Sequence, residues 1–172
     1  MEPLIIKDWP MPPSVNTMLM PVMGAMRRNK KGQVYASGRM VKSKEHVEYA
    51  KLCNQWALKY QRGLERFKEE LQTIKAHKES QGIPFCLSLD AFYLFNVERI
   101  LTVNNKTEKL DIDNRLKSLL DNLCRILEID DKHIFKINAE KCSTITNERV
   151  ILKISLCEMR SADQIKHQLS IK

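Results

Sequence analysis

LDIDNRLKSLLDNLCRILEIDDKH, residues 110–133, has the pattern of an amphipathic helix with acids at both ends. Leu116, Leu119, Leu120, Leu123, Ile126 and Leu127 recur at the i, i+3, i+4, i+7 spacing that gives a helix one buried stripe. Asp111 and Asp113 open the stretch, one residue apart, and Asp130 and Asp131 close it. Asp113 stands at the expected N-cap, where a carboxylate accepts from an orphan N–H of the first turn. Lys117 follows one turn later on the same side. Carboxylates at a helix mouth, with a base beside them, suit a divalent cation and a phosphate.

Strands are expected on either side of this helix. Upstream, residues 85–95 (FCLSLDAFYLF) alternate loosely and are aromatic-rich, so they read as a strand, and 99–103 as a second strand or hairpin arm. Residues 104–108 (NNKTE) form a polar loop. Downstream, 134–139 and 149–157 read as two more strands, with Asn147 in the turn between them. Near the start, 4–9 (LIIKDW) is a strand ended by Pro10, Pro12 and Pro13. Ser43 is the N-cap of a helix from Lys44, with Tyr49, Leu52, Cys53, Trp56 and Tyr60 on its apolar side. Residues 61–81 are densely charged and read as a partly solvated helical extension, with Gly63 as a break. The order β, basic loop, α, β, acidic motif plus α, β, β predicts an α/β fold: a small mixed β-sheet flanked by helices. One domain over 1–157 and a polar tail or short helix over 158–172 complete the expected organisation.

The chain has 172 residues and a net charge of +8, which points to a polyanionic partner. Between Trp9 and Lys44 there is no acid, while Arg27, Arg28, Lys30, Lys31, Arg39, Lys42 and Lys44 are concentrated there. With Gly24, Gly32 and Gly38 this reads as a loop that contacts a nucleic-acid backbone and releases its counterions. The five cysteines are scattered with no C-x-x-C pair, against a zinc site or a disulfide framework. A reducing cytoplasm is the expected compartment. No signal peptide and no long apolar run appears, so neither secretion nor membrane spanning is expected.

Asp111, Asp113 and Asp131 are the candidate metal ligands, with Asp130 an alternative to Asp131. Mg²⁺, with Mn²⁺ as a substitute, binds through a few carboxylates and keeps several waters. In phosphodiester hydrolysis it orients the attacking water and stabilises the developing charge. Lys117 would neutralise charge on the attacked phosphate. An EF-hand is excluded: counting from Asp111, Leu116 stands sixth and Asn122 twelfth. No phosphate-binding G-x-x-x-x-G-K-[ST] and no G-x-G-x-x-G occurs, so no nucleotide cofactor is expected. His133 is a weaker candidate for a base. Asp121 reads as a surface polar group.

The stretches WPMPPSVN (9–16), DIDNRLK (111–117) and the DD at 130–131 resemble the RusA family of Holliday-junction resolvases, metal-dependent endonucleases often carried by prophages. The resemblance implies a RusA-like fold, branched DNA as substrate, a two-fold homodimer, and catalysis by Asp111, Asp113, Asp131 and Lys117. It also adds Asn16 to the basic residues as a DNA contact. Compact family members lack the charged segment after Trp56. A non-catalytic DNA-binding module is the main alternative, and a nuclease for other branched DNA or for RNA the next.

A helix from Asp113 to Leu127 is about 21 Å long. The four residues on to Asp131 reach back at most about 14 Å. Asp131 therefore cannot readily meet Asp113 of its own chain. A two-fold dimer is expected to bring Asp131 of one subunit to Asp111 and Asp113 of the other, making two equivalent sites.

Overall fold

In the computed structural model, residues 1–14, 19–22, 26–28, 30–31, 34–36, 39–100 and 111–169 are described. Four strands build the central sheet: β1 (Leu4–Trp9), β6 (Leu87–Asn96), β7 (Ile134–Thr144) and β8 (Arg149–Leu156), in the order β1-β8-β6-β7. β8 runs antiparallel to both β1 and β6, and β6 pairs parallel with β7. The sheet is mixed, as the element order predicts. A parallel pair needs a crossover, and α4 (Asp113–Leu127) supplies it between β6 and β7.

Alternation along β6 sets the core. Leu87, Leu89, Ala91, Tyr93 and Phe95 are buried on one face, aligned with Ile154, Leu152 and Val150 of β8. Three helices supply the rest of that core: α1 (Lys44–Lys59), α2 (Gln61–Ser80) and α4. From α1 come Tyr49, Cys53 and Trp56; from α2, Leu64, Phe67 and Leu71; from α4, Leu119, Leu123 and Leu127. Trp9 of β1 donates to the Tyr49 hydroxyl at 2.9 Å, and its ring lies 5.0 Å from that of Trp56. Trp56 in turn donates to Asp8. Leu123 is 1 % exposed at the centre of α4. Truncating it to Ala should cost about 2–5 kcal/mol, read as a lowered urea midpoint with an unchanged slope.

Several expectations need correction. The acid-free basic segment is not simply a loop. It contains two antiparallel ladders, one nested inside the other: β2 (Leu19–Val22) with β5 (Arg39–Lys42), and β3 (Met26–Arg28) with β4 (Val34–Ala36). The break between α1 and α2 falls at Tyr60; Gly63 lies within α2. Residues 97–100 are a helical turn, α3 (Val97–Ile100), because Asn96 caps it through its side chain. The rest of that expected strand and the loop 104–108 lie outside the described residues. In the tail, Ser161 accepts from Gln164 ahead of a short helix, α5 (Ala162–Leu169). No helix among the described residues is long and apolar enough to cross a membrane.

Candidate metal and nucleic-acid site

The mouth of α4 carries the acidic pair. Ile112, in helical conformation, occupies the cap position and gives no side-chain cap, so Asp113 is the first helical residue and not the N-cap. The backbone turns into the helix one residue earlier than the Asp pattern suggests. The Asp113 carboxylate therefore does not serve as the N-cap of α4. It sits exposed in the first turn, at the helix end where the dipole favours negative charge. Asp111 is exposed too, and accepts from the side chain of Asn114 at 3.3 Å. Asn114 thus orients Asp111 from one turn in, a role the i, i+3 spacing within DIDN could have signalled.

Lys117 is exposed one turn beyond Asp113. Among the described residues, none of the ion pairs engages Asp111, Asp113, Lys117 or Asp131. Oxygen donors without a protein counter-charge suit a hard divalent cation.

At its far end α4 closes on Glu128 in the left-handed conformation (φ 56°), with Ile129 N–H donating back to the Cys124 carbonyl at 3.0 Å. That is a Schellman turn with glutamate in the position glycine usually fills. Lys68 of α2 pairs with Glu128, and Gln72 of the same helix donates to its carbonyl. The charged extension thus braces the turn that leads to the second acidic pair.

The structure separates that pair by role. Asp130 caps a 3-10 turn (Asp131–His133), accepts from Lys132 N–H at 3.1 Å and pairs with Lys132 Nζ at 2.9 Å. These two Lys132 contacts hold its carboxyl below the ordinary range. Asp131 is exposed with its side chain beside that of Asp130, and among the described residues it pairs with no cation. His133 packs edge-on against Phe85, with centroids 5.4 Å apart, and its Nε2 is buried with no partner among the described residues.

Among the described residues, no three acidic, histidine or cysteine side chains of one chain gather as a metal site. Asp111 and Asp113 stand at the start of α4 and Asp131 beyond its end. The intact 15-residue α4 is the reason.

Of the candidate DNA contacts, Lys30 and Lys31 are exposed in the turn of the inner ladder. Lys42 is exposed at the end of β5, and Lys44 pairs with Glu48 at 3.8 Å. Arg27, Arg28 and Arg39 lie on ladder strands. Asn16 lies outside the described residues.

Two residues that sequence reasoning passed over tie the flanks of this basic segment to α4. Arg115 donates to the Pro12 carbonyl at 2.5 Å, and its guanidinium stands 5.5 Å from the Phe95 ring centre. Burial draws its pKa below the usual value, with Arg99 acting the same way and Glu148 opposing. His46 bridges Ser43 (3.1 Å) and Ser118 (2.9 Å). Burial lowers the His46 pKa below its ordinary 6.5; Glu45 and Asp121 pull it up and Lys42 pushes it down. The unfolded chain therefore takes up a proton near pH 6.5 that folded His46 refuses. Stability is full above that pH and declines as the solution is acidified through and below it. His46→Gln should flatten this part of a stability profile measured by urea unfolding from pH 8 to 5.

A family model described as Endodeoxyribonuclease RusA matches residues 20–155, a span holding all but the first residue of the basic ladders, α4 and both acidic pairs. No curated protein matches the chain.

Proposed function

The chain belongs to the RusA endodeoxyribonuclease family, and from that we propose that it is a Mg²⁺-dependent homodimer that resolves four-way DNA junctions in the cytoplasm by paired nicks. The observation that carries the reading is the pair Asp111 and Asp113. The two are exposed at the mouth of α4, Asp113 caps nothing, and neither meets a protein cation among the described residues. Two unpaired carboxylates one residue apart leave their oxygens open to a hard divalent cation.

Asp111 and Asp113 would hold the cation from one subunit and Asp131 from its partner. When bound, the cation supplies Lewis-acid stabilisation of phosphoryl charge and a more acidic water. Asn114 keeps Asp111 turned toward the site. Lys117 lies one turn along the helix, placed to offer its ammonium to phosphate oxygens as negative charge builds. The basic ladders hold the flanking backbone through Lys30, Lys31 and the arginines.

The topology supports a shared site. β7 is an edge strand, exposed along most of its length, with Phe135 at 49 % and Ile137 at 39 %. Such an edge is a template for pairing with another chain. A two-fold axis pairs it antiparallel to its copy. The start of one β7, just after Asp131, then meets the end of the other. That end lies where the partner's α4 begins, because a crossover helix runs opposite to the parallel strands it joins.

Cleavage of a synthetic junction, a linear duplex and a matched RNA, each with Mg²⁺ and with EDTA, tests the proposal. Paired nicks confined to the junction with Mg²⁺ support it. Binding without cleavage would leave a non-catalytic DNA-binding module.

A further inference from the structure

Both roots of the basic arm are fastened to one helix. On the outgoing side, Arg115 donates to the Pro12 carbonyl, seven residues before β2 begins. At the returning root, Ser43 follows β5 directly and caps α1 by accepting from His46 N–H. The His46 ring carries that root on to Ser118 at 2.9 Å. His46 is 4 % exposed and Ser118 is 1 % exposed, so this is an internal tie and not a surface contact. Arg115 and Ser118 are three residues apart, neighbours on one side of α4. They stand within the two turns that follow Asp113.

In the arm β2 pairs with β5 and β3 with β4, as two sheets separate from each other and from the four-stranded one. A ladder outside the main sheet takes its direction from the segments that lead into and out of it. We propose that Arg115 and Ser118, the latter through His46, are positioning residues that set where the basic arm holds the DNA backbone relative to Asp111 and Asp113. The inference rests on the function proposed above and adds the part of the fold that aligns the two halves of the site. A displacement of about 1 Å between grip and chemistry lowers a rate on the order of a hundredfold.

The test uses the full chain with Arg115→Gln, Ser118→Ala and the two combined, on a synthetic four-way junction. With Mg²⁺, kcat should fall about 10- to 100-fold. Junction affinity without metal should stay within about threefold, because the arm keeps its charges. Arg115→Lys, which retains a charged donor, should recover most of the rate. In an Arg27→Gln, Arg28→Gln background the same substitutions should lower kcat little further, since an arm that no longer grips cannot misplace the strand. A readout free of activity is amide exchange. Residues 19–22 and 39–42 should exchange about tenfold faster in the combined variant, with 119–127 unchanged.

Additive losses in the two backgrounds, or unaltered exchange in the arm, overturn the inference. Should Arg115→Gln fail to fold, Ser118→Ala alone carries the same comparisons. An intact chain that cuts no junction sinks the functional reading, and the exchange measurement still decides whether the tethers hold the arm.

Discussion

Asp113→Asn should lower Mg²⁺-dependent nicking of a four-way junction on the order of a thousandfold or more, since a bound cation contributes several kcal/mol to the transition state. The substitution keeps size and shape. Asp113 caps nothing, and its side chain meets no counter-charge among the described residues. Stability should therefore move by no more than about 1 kcal/mol, the size of a charge–dipole term at a helix end. Metal-free junction binding should hold or tighten, because one negative charge facing the phosphates is gone. A parallel loss of affinity and stability would show that Asp113 supports the fold. An unchanged rate would remove it from the site. Asp111→Asn should behave likewise, and Asn114→Ala should give a smaller loss, because Asn114 only orients a ligand.

Mixing Asp113→Asn subunits with Asp131→Asn subunits should restore nicking that neither variant shows alone. In a shared site the mixed dimer has one doubly damaged centre and one intact centre. That single centre nicks one strand, so the product is a nicked junction and not a resolved pair of duplexes. Denaturing gels distinguish the two by strand length. Sites built within one chain predict no recovery at any mixing ratio. Asp130→Asn is the control for ligand choice. Its carboxylate is committed to Lys132 and the 3-10 turn, so its loss should cost some stability and leave most of the activity.

The parts of the fold that could be read from sequence were those with local periodicity. The apolar stripe of α4, the alternation of β6 and the Ser43 cap each repeat within a few residues, and the structure has all three. What failed involved pairing at a distance or a one-residue choice of backbone. The ladders in the basic segment match Leu19 to Lys42 and Arg28 to Val34 without a strong alternation or a diagnostic turn to announce them. Asp113 looked like a cap because caps are judged by residue type, and Ile112 entering the helix is not visible in composition. The ties through Arg115 and His46 were invisible for a plainer reason. They join residues 103 and 72 positions apart, and only a folded chain brings them together.

The strand order has a consequence for biosynthesis. β1 precedes the other strands, yet among the described residues its one neighbour in the sheet is β8. About 140 residues separate Trp9 from its partner Val150, a contact of high sequence separation that closes late. On the ribosome the first strand waits beside an unfinished layer until nearly the last strand has emerged. A chain stopped short of residue 149 would leave both β1 and β6 without their antiparallel mate. Such a fragment offers bare edges to its siblings and should accumulate as aggregate rather than as a smaller folded protein.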